Sequence, residues 1–313
     1  MELLRRIWRW LVSLFSFPPA EEEPTVPEPK LEPEAPVIDL PAQKGFDPHF
    51  LPVEVQLPAL KGAPDALLHY WHFSVAMNEA RRMPYYTAVN IDALKYNKLK
   101  PNIPSRKEMG ADDWNVEPRL PKMAQLPKSF YADNDFDLGH MVRREDALWG
   151  DTLEEAIAAN DDTFYLTNAV PQHKDFNRNA ARWKGLEDYA LRNARKNDLR
   201  VSVFSGCVFD EKDRTFKNVQ IPGQFWKILM MVKADGELSA TGYLVQQDDL
   251  IEDITERDLG FRFEQFKTYQ VPLTKIEEVT GLRFGLNDYD PVQKTRGIFT
   301  PPTPIDDFED IVL

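Results

Sequence analysis

The sequence predicts an α+β fold built around a central antiparallel sheet, and two observations carry that reading. First, strand-like runs follow one another across short polar breaks without a helix between them. Residues 70–77 lead through Asn78-Glu79-Ala80-Arg81-Arg82 into residues 84–91, and residues 224–232 lead into residues 238–246. Antiparallel neighbours can be joined by a tight turn, whereas parallel ones need a long crossover. Second, helical periodicity is confined to a few stretches and does not alternate regularly with the strands. It marks residues 152–159 and residues 183–196, where Trp183, Leu186, Ala190, Leu191 and Ala194 recur at helical spacing. It marks residues 275–280 as well, stopped by Gly281. Residues 163–167 and 201–204 complete the expected strands, and residues 98–135 read as loop.

Composition divides the 313 residues into four parts. Residues 1–17 place Glu2, Arg5, Arg6, Arg9, Ser13 and Ser16 on one helical face, with Leu4, Ile7, Trp8, Leu11 and Phe15 on the other. Spanning a bilayer takes about 20 apolar residues. This basic amphipathic segment is shorter, and it reads as an interfacial membrane anchor or a segment that docks on a protein partner. A secretory signal competes, but Pro18-Pro19-Ala20-Glu21 is a poor cleavage site. The location is accordingly membrane-associated or cytoplasmic, or periplasmic or secreted if the segment is a signal. Residues 18–64 are rich in Pro and Glu and read as an extended linker. Residues 65–300 are globular in pattern, and residues 301–313 form an acidic tail with Asp306, Asp307, Glu309 and Asp310.

The net charge of −13 argues against a protein that coats nucleic acid through overall basicity. Much of that charge lies in the linker and the tail, so it says little about a local site. Cys207 is the only cysteine. An intrachain disulfide and a Cys-based metal site are thereby excluded.

The chemistry concentrates in Asp137-Leu138-Gly139-His140 and in an Asn-rich segment after it. His140 has the intrinsic proton affinity of a general base, with Gly139 allowing a tight bend and Asp137 able to orient the ring or brace the turn. Asn168, Asn177 and Asn179 are neutral oxygen donors within a short span, fit for a hard cation that keeps most of its water. Trp183 and Glu187 lie four and eight residues after Asn179, on one stripe of the expected helix.

These motifs resemble those of the DNA/RNA non-specific endonucleases, which include the Serratia-type nuclease and endonuclease G. The likeness runs through Asp137-Leu138-Gly139-His140-Met141, Phe164-Tyr165-Leu166-Thr167-Asn168 with Pro171-Gln172, and Phe176-Asn177-Arg178 with Trp183 and Leu186-Glu187. It continues in Val203-Phe204-Ser205-Gly206, Ile221-Pro222, Phe225-Trp226-Lys227 and Tyr269-Gln270-Val271-Pro272. Over about residues 65–287 it implies a ββα-metal (His-Me finger) core. It implies Mg²⁺, with Mn²⁺ able to substitute, DNA and RNA as substrates, and 5′-phosphate ends. His140 would be the general base, Asn177 or Asn179 the direct metal ligand, and Glu187 the support for the hydrated metal. Arg119 is chosen to steady the phosphate, ahead of Arg106, Arg143 and Arg144. Asn168, Arg143 and Arg178 would bind substrate. The family tetrad carries Arg where this chain carries Leu138. A homodimer is compatible with this reading, as is a defence or toxin effector held on a membrane or partner by residues 2–17. The alternative from another class is a catalytically impaired binding module, which Leu138 favours.

Overall fold

The computed structural model describes residues 43–60, 67–110, 112–178, 188, 191–192, 194–247, 268–297 and 301–305. In chain order the strands are β1 (Ala59–Leu60), β2 (Leu67–His69), β3 (Phe73–Asn78), β4 (Met83–Asp92), β5 (Phe136–His140), β6 (Ala169–His173) and β7 (Arg200–Val208). They continue with β8 (Arg214–Phe216), β9 (Val219–Ile221), β10 (Gln224–Val232), β11 (Leu238–Gln246), β12 (Thr268–Val271), β13 (Leu282–Arg283) and β14 (Thr303–Ile305). Among the described residues, the α-helices are α1 (Ala93–Leu99), α2 (Arg144–Ala147), α3 (Leu153–Asp162), α4 (Lys174–Asn177), α5 (Leu273–Thr280) and α6 (Pro291–Arg296).

The protein is α+β, as its sequence predicts. Eight strands form one sheet in the order β14-β12-β11-β10-β7-β4-β3-β2, with every neighbouring pair antiparallel. The two predicted hairpins are present as β3–β4 and β10–β11. In the second, Gly236 takes φ 86° and closes the turn by donating to Lys233 O at 3.0 Å. That backbone region suits glycine because a side chain would clash there.

Side chains alternate across a strand, so the sheet has two chemically different faces. One is apolar: Ala88, Phe204 and Ile228 stand side by side in register, with Trp226, Met230, Ala240 and Leu244 around them. Helix α5 covers this face through Leu273 and Ile276, and Gly281 ends that helix at φ 72°. The other face is mixed, with Thr87, Ser205 and Lys227 in register, all buried. Against it lies the unit that carries the site. Phe176 of α4 packs its ring 5.2 Å from Phe225. Gln247, just after β11, donates to Pro171 O and Pro222 O at 3.2 and 2.7 Å and accepts from His173 N at 2.9 Å. One buried amide thus ties β6 to the main sheet.

Three sequence expectations are corrected. The linker does not extend to residue 64. Phe46, Leu51 and Val55 are buried in the apolar core, and β1 pairs with β13. Fully burying such a side chain is worth about 1.5–3 kcal/mol, enough to hold a proline-rich segment down where composition suggests solvent. The acidic tail does not begin at 301, because β14 pairs with β12 as an edge strand. Residues 163–167 do not form a strand: Leu166–Asn168 is a 3-10 turn, and Asn115 makes only an isolated bridge to Tyr165. Residues 1–42 and 306–313 lie outside the described residues, as does most of the helix expected over 183–196. Asp188, Leu191, Arg192 and Ala194–Lys196 of that stretch are helical. No described helix is long and apolar enough to cross a membrane.

Gly206 shows how tightly the apolar face is packed. It pairs with Trp226, and a Cβ at Gly206 would lie 2.7 Å from that indole and 2.4 Å from Tyr85 O. Gly206→Ala should lower unfolding free energy by about 1–3 kcal/mol, the usual cost of overpacking. Denaturant unfolding with an unchanged m-value checks this; wild-type stability would show that the backbone yields easily here.

Candidate active site

The site grows from a short antiparallel pair. In β5 and β6, Asp137 stands opposite Gln172, Gly139 opposite Val170 and His140 opposite Ala169, and the chain then runs directly into α4. The two-residue period of β5 sends Leu138 and His140 to one side and Asp137 and Gly139 to the other. Gly139 is needed here for space. Its φ is not positive, but a Cβ would lie 2.2 Å from Gln172 Oε1 and 2.5 Å from Gln172 Cγ. The expected tight bend is therefore corrected to a close crossing of the Gln172 side chain over the strand.

Leu138 and His140 share an aromatic wall. Leu138 packs against the cluster of Trp114, Phe164, Leu166 and Ala169. The His140 ring lies 4.5 Å from the Trp114 ring and 5.0 Å from Phe164, edge-on to the latter. Its Nε2 is buried and has no hydrogen-bond partner among the described residues. Burial pushes the imidazole pKa down to about 3, and the positive charges of Arg144, Arg106 and Arg143 push the same way. His140 is thus a neutral ring with an open nitrogen at any ordinary pH.

On the opposite side of β5, Asp137 accepts from Asn177 Nδ2 at 3.0 Å and is forked by Arg178 through Nε at 2.8 Å and Nη2 at 2.6 Å. Asp137 therefore orients Asn177 and Arg178 and makes no hydrogen bond to His140. Strand alternation explains the difference, since residues three apart in a strand face opposite ways. With its NH₂ committed to the carboxylate, Asn177 keeps its amide oxygen as an acceptor.

A cavity of about 480 Å³ joins the two sides, lined by Trp114, Asp137, Leu138, His140 and Asn177. Arg106, Arg143, Arg144 and Arg178 supply its cations, and Asp112 and Glu145 its further carboxylates. No cluster of three or more His, Cys, Asp or Glu able to hold a metal exists among the described residues. The donor set that remains, an amide oxygen beside bound water, suits a hard, hydrated divalent cation.

Two other predicted residues fall elsewhere. Asn168 is fully buried and fully bonded: Oδ1 accepts from Val142 N, and Nδ2 donates to Val142 O and Thr163 O, each at 2.8 Å. It braces the chain after His140 and has nothing left for substrate. Arg119 is not brought to His140. It is forked onto buried Glu117 at 2.7 and 2.8 Å, donates to His69 O at 2.8 Å, and lies 4.7 Å over the Tyr70 ring. None of these partners lines the cavity. Arg143 does line it, held at 2.9 Å by Asp188 and 3.5 Å by Glu145. Asn179 and Glu187 lie outside the described residues. Asp112 and Glu145 were missed because nothing local distinguishes a cavity carboxylate from a solvated one.

A sequence profile for DNA/RNA non-specific endonucleases matches residues 57–290. The chain belongs to this family. Among family relatives, mitochondrial endonuclease G of Homo sapiens is 27% identical over 166 residues, covering 49% of this chain and 50% of the relative. Nuclease C1 of Cunninghamella echinulata is 29% identical, covering 54% of this chain and 64% of the relative. An uncharacterized protein of Sinorhizobium fredii is 38% identical over 77% of this chain and only 39% of its own length. The chain thus spans less than two thirds of each of these curated relatives. A crystal structure of endonuclease G in complex with EndoGI shares the fold, with a TM-score of 0.52 at 19% identity over 72% of this chain and 88% of that one.

Two outcomes are expected from this geometry. Asn168→Ala removes three buried hydrogen bonds and should destabilise the protein by about 3 kcal/mol. Thermal unfolding beside KM checks it, since a substrate contact would change KM at unchanged stability. His140 and His72 are both held below 6.5 by burial, to about 3 and about 4. The unfolded chain therefore binds these protons first, and stability is kept above pH 6.5 and lost as pH falls toward 4 and below. His140→Gln should flatten the fall in Tm over that window; an unchanged slope would place the His140 ring in water.

Proposed function

We propose that the chain is a metal-dependent endonuclease hydrolysing phosphodiester bonds of DNA and RNA without strong sequence preference. The observation that carries this reading is His140 Nε2, buried without a partner in a cavity that also holds Asn177 and the arginines. A neutral imidazole is the form that takes a proton from water, so His140 serves as general base. Trp114 and Phe164 fix the ring and keep bulk water from it. A phosphodiester carries negative charge, so its arrival beside the arginines offsets their repulsion of a proton and raises the basicity of His140 when it is needed.

The Asn177 amide oxygen would hold the cation, with Asp137 fixing the amide from behind, while Asn179 stays an alternative ligand and Glu187 a support for the metal's waters. When bound, Mg²⁺, or Mn²⁺ in its place, supplies charge stabilisation for the phosphoryl group and the leaving 3′-oxygen. Cleavage on that side leaves 5′-phosphate ends.

The test is cleavage of plasmid DNA and of RNA by the purified full chain. Activity should need a divalent cation, stop with EDTA, and fall about 10²–10⁴-fold in His140→Ala, the usual worth of a general base. Asn177→Ala against Asn179→Ala then names the ligand by which one raises the Mg²⁺ concentration needed. If neither nucleic acid is cut with any divalent cation, the impaired binding module stands instead, with Leu138 as its mark.

A further inference from the structure

The four cavity arginines fall into two pairs by the carboxylates they hold. Arg178 is forked onto Asp137, and Arg143 lies against Asp188 and Glu145. Each of these has carboxylate charge of its own. Arg106 and Arg144 instead share one: Asp112 accepts from Arg106 Nη2 at 2.7 Å through Oδ2 and from Arg144 Nη1 at 3.4 Å through Oδ1. Two guanidinium groups on one carboxylate leave a positive excess in the wall of the cavity that contains His140.

The pair is built unevenly. Arg144 is fixed from behind, with Nε donating to Asn160 Oδ1 at 3.0 Å and the guanidinium 5.6 Å over the Phe164 ring that also touches His140. Its side chain is 10% exposed, while that of Arg106 is 67% exposed and that of Asp112 35%. One cation is preset, the other reaches in from solvent, and the anion between them has room to turn outward.

We propose that Arg106 and Arg144 form a phosphate clamp beside His140, closed by the Asp112 carboxylate until a backbone phosphate of the nucleic acid takes its place. The inference rests on the nuclease reading of the same site. Two guanidinium groups converging on one anion match a phosphodiester, whose two non-bridging oxygens each accept a charge-assisted hydrogen bond. Asp112 acts as an internal competitor. It keeps the arginines ordered, and it weakens the hold on any single phosphate, so that a polymer engaging several phosphates is favoured over a free one.

The experiment measures binding of a short fluorescent single-stranded DNA to the full chain carrying His140→Ala, in EDTA, across a salt series. Added to that background, Asp112→Asn should tighten binding about tenfold, since it removes the competing charge. Arg106→Gln should weaken it about tenfold and lower the slope of log affinity against log salt by about one, the loss of one phosphate contact. With His140 restored, both effects should fall on KM and leave kcat nearly unchanged. Arg144 is buried, so its substitution also probes folding, and the exposed Arg106 gives the cleaner arm. If wild type cuts nucleic acid but neither Asp112→Asn nor Arg106→Gln changes binding, the clamp is overturned and the nuclease reading survives. If wild type cuts and binds neither DNA nor RNA, both are overturned.

Discussion

Everything in the candidate site follows from the two-residue period of β5. Five residues, Phe136–His140, pair in register with β6 and divide their chemistry between two sides of a narrow ribbon. His140 and Leu138 go to the aromatic wall of Trp114 and Phe164, and Asp137 goes to Asn177 and Arg178. A one-residue slip would exchange the two sets and bring a carboxylate against the indole. The register is held by the close passage of Gln172 over Gly139 and by the Gln247 amide that fastens β6 to the main sheet.

The electrostatics of the cavity contain an opposition. Arginines that suit a phosphate also repel a proton from the ring, and burial among aromatic side chains adds to that repulsion. A free imidazole in water is a better base but is half protonated near pH 6.5. The folded arrangement gives up basicity for a ring that is neutral at every working pH, and the incoming phosphodiester restores part of what was lost. Leu138 belongs to the same balance, since an apolar group beside His140 deepens its desolvation where a cation would add charge.

Much of the fold was legible. The hairpins β3–β4 and β10–β11 are local, and their apolar runs broken by turn residues announce them without reference to the rest of the chain. The N-terminal boundary was not legible, because Phe46, Leu51 and Val55 are isolated apolar residues in a proline-rich stretch. Their burial depends on the apolar face of a sheet formed by strands far along the chain. The same holds for β14, three residues whose only claim to a strand is an unpaired edge on β12.

For the site, the sequence by itself determined the tetrad that ends in His140, the Asn-rich segment after it, and the family to which both belong, because motif spacing within a hairpin and the helix behind it is a local property. Only the tertiary structure decided what the other polar residues do. Asn168 and Arg119 carry the right chemistry at the right point in the chain, yet one is used up by three backbone hydrogen bonds and the other by Glu117. Arg106, Asp112 and Arg144, which no motif links, meet in one cavity wall. A charged side chain acts through whatever lies within a few ångströms of it, and across separations of tens of residues that neighbour is chosen by packing.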